Sequence, residues 1–472
     1  MKRSFRVALI VGVVASFLSA CTATVHEFKS PVTPAENFSA SGAIPLADKW
    51  WLTFNDPLLD ELIDIALEHN FNLLAAYDRL AQARAIAKKT GAELTPQLNG
   101  LFSTTRKIIE NDAGRSTVDE FSAGFAASYE LDLWGRIRSG MHAAELDEQA
   151  AHQDIKIAAI TLTAEITRTW YQLVEQRQQL ALLEKQIQTN QDNVDILLTR
   201  FNLGQARAAD VLQQKQLWQS TIGDKATVIA NIKRFEYQLA TLSGQTINSL
   251  TLADKATFPL LPPKPDTGLS SELIKRRPDI YKAYLKIQAA DQRIAAAIAD
   301  RFPKISLSAS FNSSTPDLQS LLNNWLATLA GNMVLPLIDG HRRVAEVERN
   351  KAIFSETVNQ YGGVILNAIQ EVETALIQEQ QQSLLLDSLD KQVTLSRQAN
   401  EQIQLRYRYG GMDFLRVLST RLSLQTLERS RIRAERERID FRINLYKALA
   451  GGWSQKAPPA KTPENLIKEN TK

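Results

Sequence analysis

The chain has 472 residues, 44% of them hydrophobic and 23% charged, which is the balance of a folded protein and excludes a disordered one. Its 20 Gly and 16 Pro are too few for a collagen-like or Pro-rich linker class. Removing Lys2, Arg3 and Arg6 from the 55 basic and 52 acidic residues leaves 52 of each, so there is no cationic excess of the kind that nucleic-acid binding requires.

In chain order, the first element is a secretory signal. Lys2 and Arg3 form a positive start, and Val7 to Phe17 is an apolar run too short to span a bilayer. The sequence Leu18-Ser19-Ala20-Cys21 resembles a bacterial lipobox. That resemblance implies removal of residues 1–20 and acylation of Cys21, and Thr22 after it favours sorting to the outer membrane. The residues alone also fit an ordinary signal peptide with an incidental Cys. Cys21 is the single cysteine, so an internal disulfide, a Cys-based zinc site and an iron–sulfur cluster are excluded. No later stretch reaches 18 apolar residues, so no inner-membrane helix is expected.

After an N-terminal extension, 21–57, the chain repeats itself. Arg200-Phe201-Asn202-Leu203-Gly204 returns as Arg406-Tyr407-Arg408-Tyr409-Gly410, and Val211-Leu212 as Val417-Leu418, both at an offset of 206. Leu242-Ser243-Gly244 returns as Leu449-Ala450-Gly451, at 207. The halves are 58–244 and 269–451. They are joined by a connector, 245–268, that Pro259, Pro262, Pro263 and Pro265 hold extended. A polar tail, 452–472, follows.

Each half reads as a helix, a β-hairpin (97–133, then 305–338) and a long helical hairpin (136–244, then 340–450). Phe121 to Leu133 and Ile305 to Asn312 alternate apolar and polar residues, the signal of a strand with two unlike faces. Gln97–Lys107 and Trp325–Ile338 are their weaker partners, and Ile109–Asp119 reads as a polar loop. Alternating strands of about ten residues fit a transmembrane barrel; a soluble sheet packed on helices is the alternative left open by pattern alone.

The helical parts carry a heptad stripe from Ile155 through Leu162, Thr169 and Leu183 to Phe201, with spacings alternating 4 and 3. It recurs 206 residues later from Tyr361 to Tyr407 in the same register. A stripe this long implies a coiled-coil seam, on a rod of roughly 100 Å at 1.5 Å per residue. A second stripe, Ile157, Ile160, Ala164, Thr167, Tyr171 and Val174, suits a ring in which each helix meets two neighbours. The rods turn at Gly204 and at Gly410-Gly411.

Four strands leave open edges that lipid cannot satisfy, so the chain must associate. Two copies would give eight strands, whose interior side chains fill. Three give twelve strands and twelve long helices around a conduit. A ring is therefore expected, and a conduit favours three copies: mainly α with a β-barrel section, completed as a trimeric 12-stranded β-barrel and α-barrel.

Trp50-Trp51-Leu52-Thr53-Phe54-Asn55-Asp56-Pro57-Leu58-Leu59 resembles the opening signature of the lipoprotein branch of the outer membrane factor (TolC-like) family. Leu133-Trp134-Gly135-Arg136-Ile137-Arg138, Arg277-Pro278-Asp279-Ile280 and Pro336-Leu337-Ile338-Asp339-Gly340 resemble its other motifs. The resemblance implies a non-enzymatic exit duct of a tripartite efflux system. The duct would sit in the bacterial outer membrane and work with a periplasmic adaptor (membrane fusion protein) and an inner-membrane pump.

The resemblance places adaptor contacts at the turns, hence at Arg200, Leu203 and Gly204 and at Arg406, Tyr409 and Gly410. It places a closing constriction just after the second turn. There the family's Asp residues are replaced by Arg416 and Ser419, with Asp413 and Arg421 nearby. Arg416 either faces the lumen or pairs with Asp413 three residues before it. The Gly residues are equally readable as plain turn formers, with the preceding Arg residues capping their helices.

Trp134 and Trp325 suit either a membrane-interface belt or the barrel-to-helix junction. No phosphate-binding loop, nucleophile elbow, dinucleotide fingerprint or metal spacing of the five His residues is present. No catalytic residue, metal ligand or cofactor is expected.

Overall fold

The computed structural model describes residues 30–450, apart from residues 34, 113, 249, 251, 253–256 and 322. The expected signal peptide, the acylated Cys21 and the polar tail lie outside the described residues. The helices are α1 (Pro57–His69), α2 (Phe71–Gly91), α3 (Arg136–Asn202), α4 (Ala208–Leu242), α5 (Ser270–Arg276), α6 (Pro278–Ala299), α7 (Arg342–Arg408) and α8 (Phe414–Ala448). The strands are β1 (Gln97–Asn111), β2 (Gly114–Leu131), β3 (Lys304–Thr315) and β4 (Trp325–Val334). The repeat is visible in the helices: α3 and α7 both have 67 residues, and α4 and α8 both have 35. Two compact units result, one built from residues 78–153 and 280–364 with 30–32, the other from 33–77, 154–279 and 365–450.

The first unit holds one antiparallel sheet in the order β1-β2-β3-β4. Its register keeps like residues on like faces. Phe102, Ala123, Phe125, Ala127, Phe311, Ala309 and Leu329 share one face, because Phe102 pairs with Ala123, Phe125 with Phe311, Ala127 with Ala309 and Ala309 with Leu329. Ser103, Ser122, Ser128, Ser308, Ser310 and Asn312 share the other face. There Ser103 and Ser122 are hydrogen-bonded at 2.7 Å.

The expected loop 109–119 is not a loop. The ladder continues to the Asn111–Gly114 pair and leaves only positions 112 and 113 between the strands. Polar cross-strand pairs carry the extension: Arg106 donates twice to Asp119, at 2.6 and 2.8 Å, and Lys107 meets Glu120 at 3.5 Å. At the far end β4 stops at Val334, short of the expected Ile338, because Pro336 cannot donate to a ladder. Trp134 serves the junction: its Nε1–H donates to the Pro303 carbonyl at 2.7 Å and its ring stacks on Phe302 at 5.0 Å. Trp325 stacks on Phe311 at 5.4 Å and stays exposed.

Asp132 ends β2 and starts α3. Its carboxylate accepts the Ile137 and Arg138 N–H groups at 3.0 and 2.9 Å, while Gly135 takes φ +77° to make the turn. Asp339 and Gly340 (φ +62°) repeat this before α7, with Asp339 accepting Arg343 N–H at 3.3 Å. Two of the family-like motifs are thus helix starts.

In the second unit the first heptad stripe is the core of the helical hairpins. Ile155, Ala159, Leu162, Ile166 and Leu173 are buried, as are Ile365, Ala368, Val372 and Ala375 on α7. One residue of the second stripe, Tyr171, is covered from within the chain. Trp50–Phe54 forms a 3-10 turn, and Phe54 packs on Tyr171 with ring centroids 5.6 Å apart. Trp50 stacks on Tyr446 at 5.2 Å, and fully buried Asp56 accepts the Trp170 indole N–H at 2.8 Å. The opening signature therefore covers Tyr171 of the second stripe within one chain. The turn buries three large aromatic side chains, Trp50, Trp51 and Phe54.

The connector is bound as well as extended. Buried Arg442 on α8 bonds the Pro263 carbonyl at 3.1 Å and that of Pro262, and Glu379 on α7 at 2.5 and 3.0 Å. Arg277, in the third motif, bonds Asp279 at 2.7 and 3.0 Å, Glu371 at 2.7 Å and the Ala448 carbonyl at 2.9 Å.

Candidate functional site: the paired helical turns

The ends of α3 and α7 are built alike. Gln205 N–H donates to Arg200 O at 2.8 Å and Gly204 N–H to Phe201 O at 2.9 Å. In the second turn Gly411 N–H reaches Arg406 O at 3.0 Å and Gly410 N–H reaches Tyr407 O at 3.1 Å. Each is a Schellman closure, which needs a left-handed residue just past the helix. Gly204 at φ +72° and Gly410 at +78° supply it. A methyl on either glycine would meet nothing within 4 Å, so the requirement is conformational and not one of space.

Arg200 and Arg406 thus close the turns through their carbonyls. The Arg200 guanidinium lies 4.9 Å from the Tyr407 ring centroid. Leu203 and Tyr409, at equivalent places in the repeat, are 65% and 84% exposed.

An apolar cluster joins the two turns: Leu197, Val211 and Leu217 from the first hairpin, Phe414, Val417 and Leu418 from the second. Above it Arg207 donates to Asp413 at 2.9 Å and lies 3.6 Å from Asp210. Both charged residues are helix starts. Asp210 accepts Arg207 N–H at 3.2 Å before α4, and Asp413 accepts Leu415 N–H at 3.3 Å before α8. A cleft of 610 Å³ lies between the turns, lined by Gln205, Ala206, Arg207, Gly411, Met412 and Asp413 among others.

The structure sorts the four residues of the expected constriction. Arg416 and Ser419 are exposed, and the Ser419 hydroxyl donates to the Arg416 carbonyl at 3.0 Å. The alternative reading of Arg416, an ion pair with Asp413, is not formed, because Asp413 is taken by Arg207 and by the cap. Arg421 is interior, at 4% exposure. It donates to Gln214 at 3.4 Å and Asn193 at 3.2 Å, beside the Asn190–Gln425 bond at 3.3 Å. Burial with only amide partners pushes its guanidinium down to about 10. Sequence reasoning missed this amide cluster, and the one available signal was polar Asn190 and Gln214 at core positions of the helical pattern.

Among the described residues no group of acids, His or Cys could hold a metal, and no helix is long and apolar enough to cross a membrane. What the arrangement offers is an amphipathic sheet and a pair of matched, chemically distinct turns.

Residues 62–245 and 269–451 match the outer membrane efflux protein family. The chain belongs to that family. An outer membrane efflux protein is the exit duct of an efflux system, and this chain is therefore an outer-membrane protein of that function. It is 31% identical to the pyoverdine export outer membrane protein OpmQ of Pseudomonas aeruginosa, over 92% of this chain and 95% of the relative. It is 28% identical to the cation efflux system protein CusC of Escherichia coli O157:H7, over 94% and 98%. Its fold is similar to the open state of the Neisseria gonorrhoeae MtrE outer membrane channel, with a TM-score of 0.82 and 26% identity over 91% of this chain and 98% of that one. In this outer membrane efflux protein the apolar face of the sheet suits lipid and the serine-rich face suits water.

Proposed function

We propose that three copies of the chain close into one duct, a 12-stranded β-barrel with an α-barrel of helical hairpins, anchored in the outer membrane through acylated Cys21. The observation that supports this best is the four-stranded sheet. It has one apolar face, and β1 and β4 each have one side without a partner strand among the described residues. Lipid tolerates neither unpaired backbone nor an open edge, so the edges must meet those of other copies. Detection of the mature N-terminus by mass spectrometry checks the Cys21 assignment, and an unmodified Cys21 overturns it.

The turns take the adaptor. Arg200, Leu203 and Gly204 and Arg406, Tyr409 and Gly410 form its contact surface, and the inner-membrane pump delivers cargo through it. Asp413, Arg416 and Ser419 line the constriction. Arg421 holds the helices behind it. Named cargoes of the relatives run from pyoverdine to cations, on one scaffold, so selectivity belongs to the pump.

Purified full-length protein in a planar bilayer tests this reading. It is expected to conduct, and to run as a trimer in native mass spectrometry. Arg416→Ala is expected to move the reversal potential in a salt gradient toward cations, because three-fold symmetry makes Arg416 a ring of positive charge. A conducting channel whose reversal potential ignores Arg416→Ala removes Arg416 from the constriction. A chain that neither conducts nor oligomerises overturns the duct.

A further inference from the structure

We propose that the loop end of β3 and β4 carries a binding site for a neutral saccharide, formed by Asn312, Ser314, Asn323, Asn324 and Trp325. Its placement outside the cell rests on the barrel reading above; its chemistry does not.

The two hairpins of the sheet end differently. β1 and β2 are joined through positions 112 and 113 alone, whereas positions 316–324 join β3 to β4. A hairpin turn takes about two to five residues, so this loop is longer than the ladder requires. It is also held in place. The hydroxyl of buried Ser313 is shared between the Leu321 and Asn324 carbonyls. The hydroxyl of buried Thr315 bonds that of Ser320 at 2.6 Å. Asp317 accepts the Gln319 N–H at 3.4 Å and so starts the 3-10 turn Leu318–Ser320. Two buried hydroxyls thus fix a polar loop against the end of a strand.

The fixed loop borders a cleft of 480 Å³ lined by Asn312, Ser314, Asn323, Asn324, Trp325 and Leu326. Trp325 is 62% exposed, with one face of its indole on Phe311 and the other open. Asn312 lies opposite Gly124 in the ladder, and a methyl on Gly124 would meet Asn312 Oδ1 at 2.3 Å. The missing side chain at Gly124 therefore gives the Asn312 amide its place. The side-chain amides of Asn312, Asn323 and Asn324 bond no other residue among the described ones.

This set selects a class of ligand. A carboxamide carries an acceptor and a donor side by side, which matches two neighbouring hydroxyls of a sugar. The open indole face is a flat apolar platform for the C–H face of a pyranose ring, and its N–H is a further donor. No lining residue is charged. Glu120, which accepts the Ser314 hydroxyl at 2.8 Å, is itself paired with Lys107 at 3.5 Å. A phosphate or carboxylate would find no cation in the lining, and an alkyl chain would leave three amides unpaired. A neutral polyhydroxylated ring satisfies both the amides and the platform.

The helices leave the sheet from its opposite end, beyond the pairs Leu131–Ile305 and Lys304–Val334. In the barrel reading that end faces the periplasm, so the cleft opens on the exterior. Two sources of sugar reach it there, the headgroup of an outer-leaflet glycolipid and a free oligosaccharide.

Purified full-length protein in detergent tests the site by saturation-transfer NMR with neutral trisaccharides of glucose, of galactose and of N-acetylglucosamine. At least one is expected to bind, with its ring C–H protons receiving the most saturation. Trp325→Ala and Asn324→Ala are each expected to weaken binding about tenfold, and Trp325→Phe, which keeps a platform, to weaken it less. Asn324→Ala retains the carbonyl that Ser313 uses, so it supplies the readout if Trp325→Ala does not fold. If no trisaccharide binds the parent, or if Asn324→Ala and a folded Trp325→Ala bind as the parent does, the site is overturned. Phosphatidylcholine bilayers with and without galactosyl diacylglycerol separate the sources. Loss of the free-sugar signal in the glycolipid bilayer assigns the site to lipid-borne sugar, persistence assigns it to free oligosaccharide, and either result sustains it. Placement is tested apart from binding, by labelling Asn323→Cys on intact cells with a membrane-impermeant maleimide. The parent, whose one cysteine is Cys21, gives the background. Labelling above background is expected. Sugar binding without such labelling would overturn the exterior placement and the barrel reading behind it, while the saccharide site would stand.

Discussion

Arg442 is 3% exposed and touches Glu379, which is equally buried. Removing one member of such a pair leaves the other charge without compensation, at about 3–5 kcal/mol. Arg442→Ala is therefore expected to lower the unfolding free energy of the purified protein by that amount, with a matching fall in its urea midpoint, and also to loosen Pro262–Pro263 from α8. An unchanged midpoint would mean that the pair is not formed.

A different carboxylate gives a pH signature. Asp440 on α8 is pushed up to about 6 by burial, against the pull of Arg436 and Arg168 and with Glu175 adding to it. Its folded pKa is above its unfolded value of 3.8, so folding takes up a proton in the window between them. Stability from this group is fully present below about pH 4, is lost as pH rises toward 6, and is flat above. Asp440→Asn removes the dependence. The variant is expected to match the parent near pH 4 and to exceed it near pH 7 by on the order of 2–3 kcal/mol, as about two pKa units imply. Melting curves across pH 4–7 check this, and a constant gap between variant and parent would contradict it.

At the scale of elements, the turns and the sheet separate two kinds of requirement. Gly410 needs its left-handed backbone but has open space around it. A side chain there costs about 1–2 kcal/mol of backbone strain, which 67-residue and 35-residue helices with an apolar cluster between them can absorb. Gly410→Leu is therefore expected to leave assembly intact and abolish efflux. Susceptibility assays alongside adaptor crosslinking and native electrophoresis check it, and normal crosslinking with normal efflux would take docking away from the turns. In the sheet, Leu329 and Thr328 are adjacent on β4 but lie on opposite faces. Leu329→Arg puts a charge on the apolar face, at about 2–4 kcal/mol in a bilayer midplane. Thr328→Arg puts it among the serines. Heat-modifiable migration of outer-membrane fractions is expected to show lost assembly for the first and retained assembly for the second; equal behaviour would mean that the faces are not lipid and water.

At the scale of the whole molecule, the three-copy reading would make one chain supply two unlike halves of a symmetric object. The repeat-equivalent long helices have equal lengths, yet the residues at their ends differ, Arg207 standing where the other half has Asp413 and Leu203 where it has Tyr409. A true six-fold ring would have one kind of contact between hairpins. Three copies of a two-part chain have two kinds, so charge and shape can alternate around the axis.

Much of this was legible in the sequence because it depends on periodicity. The seven-residue stripe located α3 and α7, and the period of two located β2 and β3, since both reflect which side of an element meets water. Gly204 and Gly410 marked their turns because few other residues take a positive φ. The family-like motifs were recognisable too, although their work as helix starts and buried ion pairs was not. Only the tertiary structure decided what meets what. Tyr171 of the second stripe on α3 carries no sign of its partner in the sequence, and that partner is Phe54, more than a hundred residues earlier. The polar stretch 109–119 looked like a loop, and cross-strand partners make it ladder. Asp413 had Arg416 within reach along its own helix and took Arg207 from another hairpin instead. In each case the sequence defined a surface or a charge that had to be satisfied. The partner was settled by long-range packing, because a contact between distant residues leaves no period in the chain.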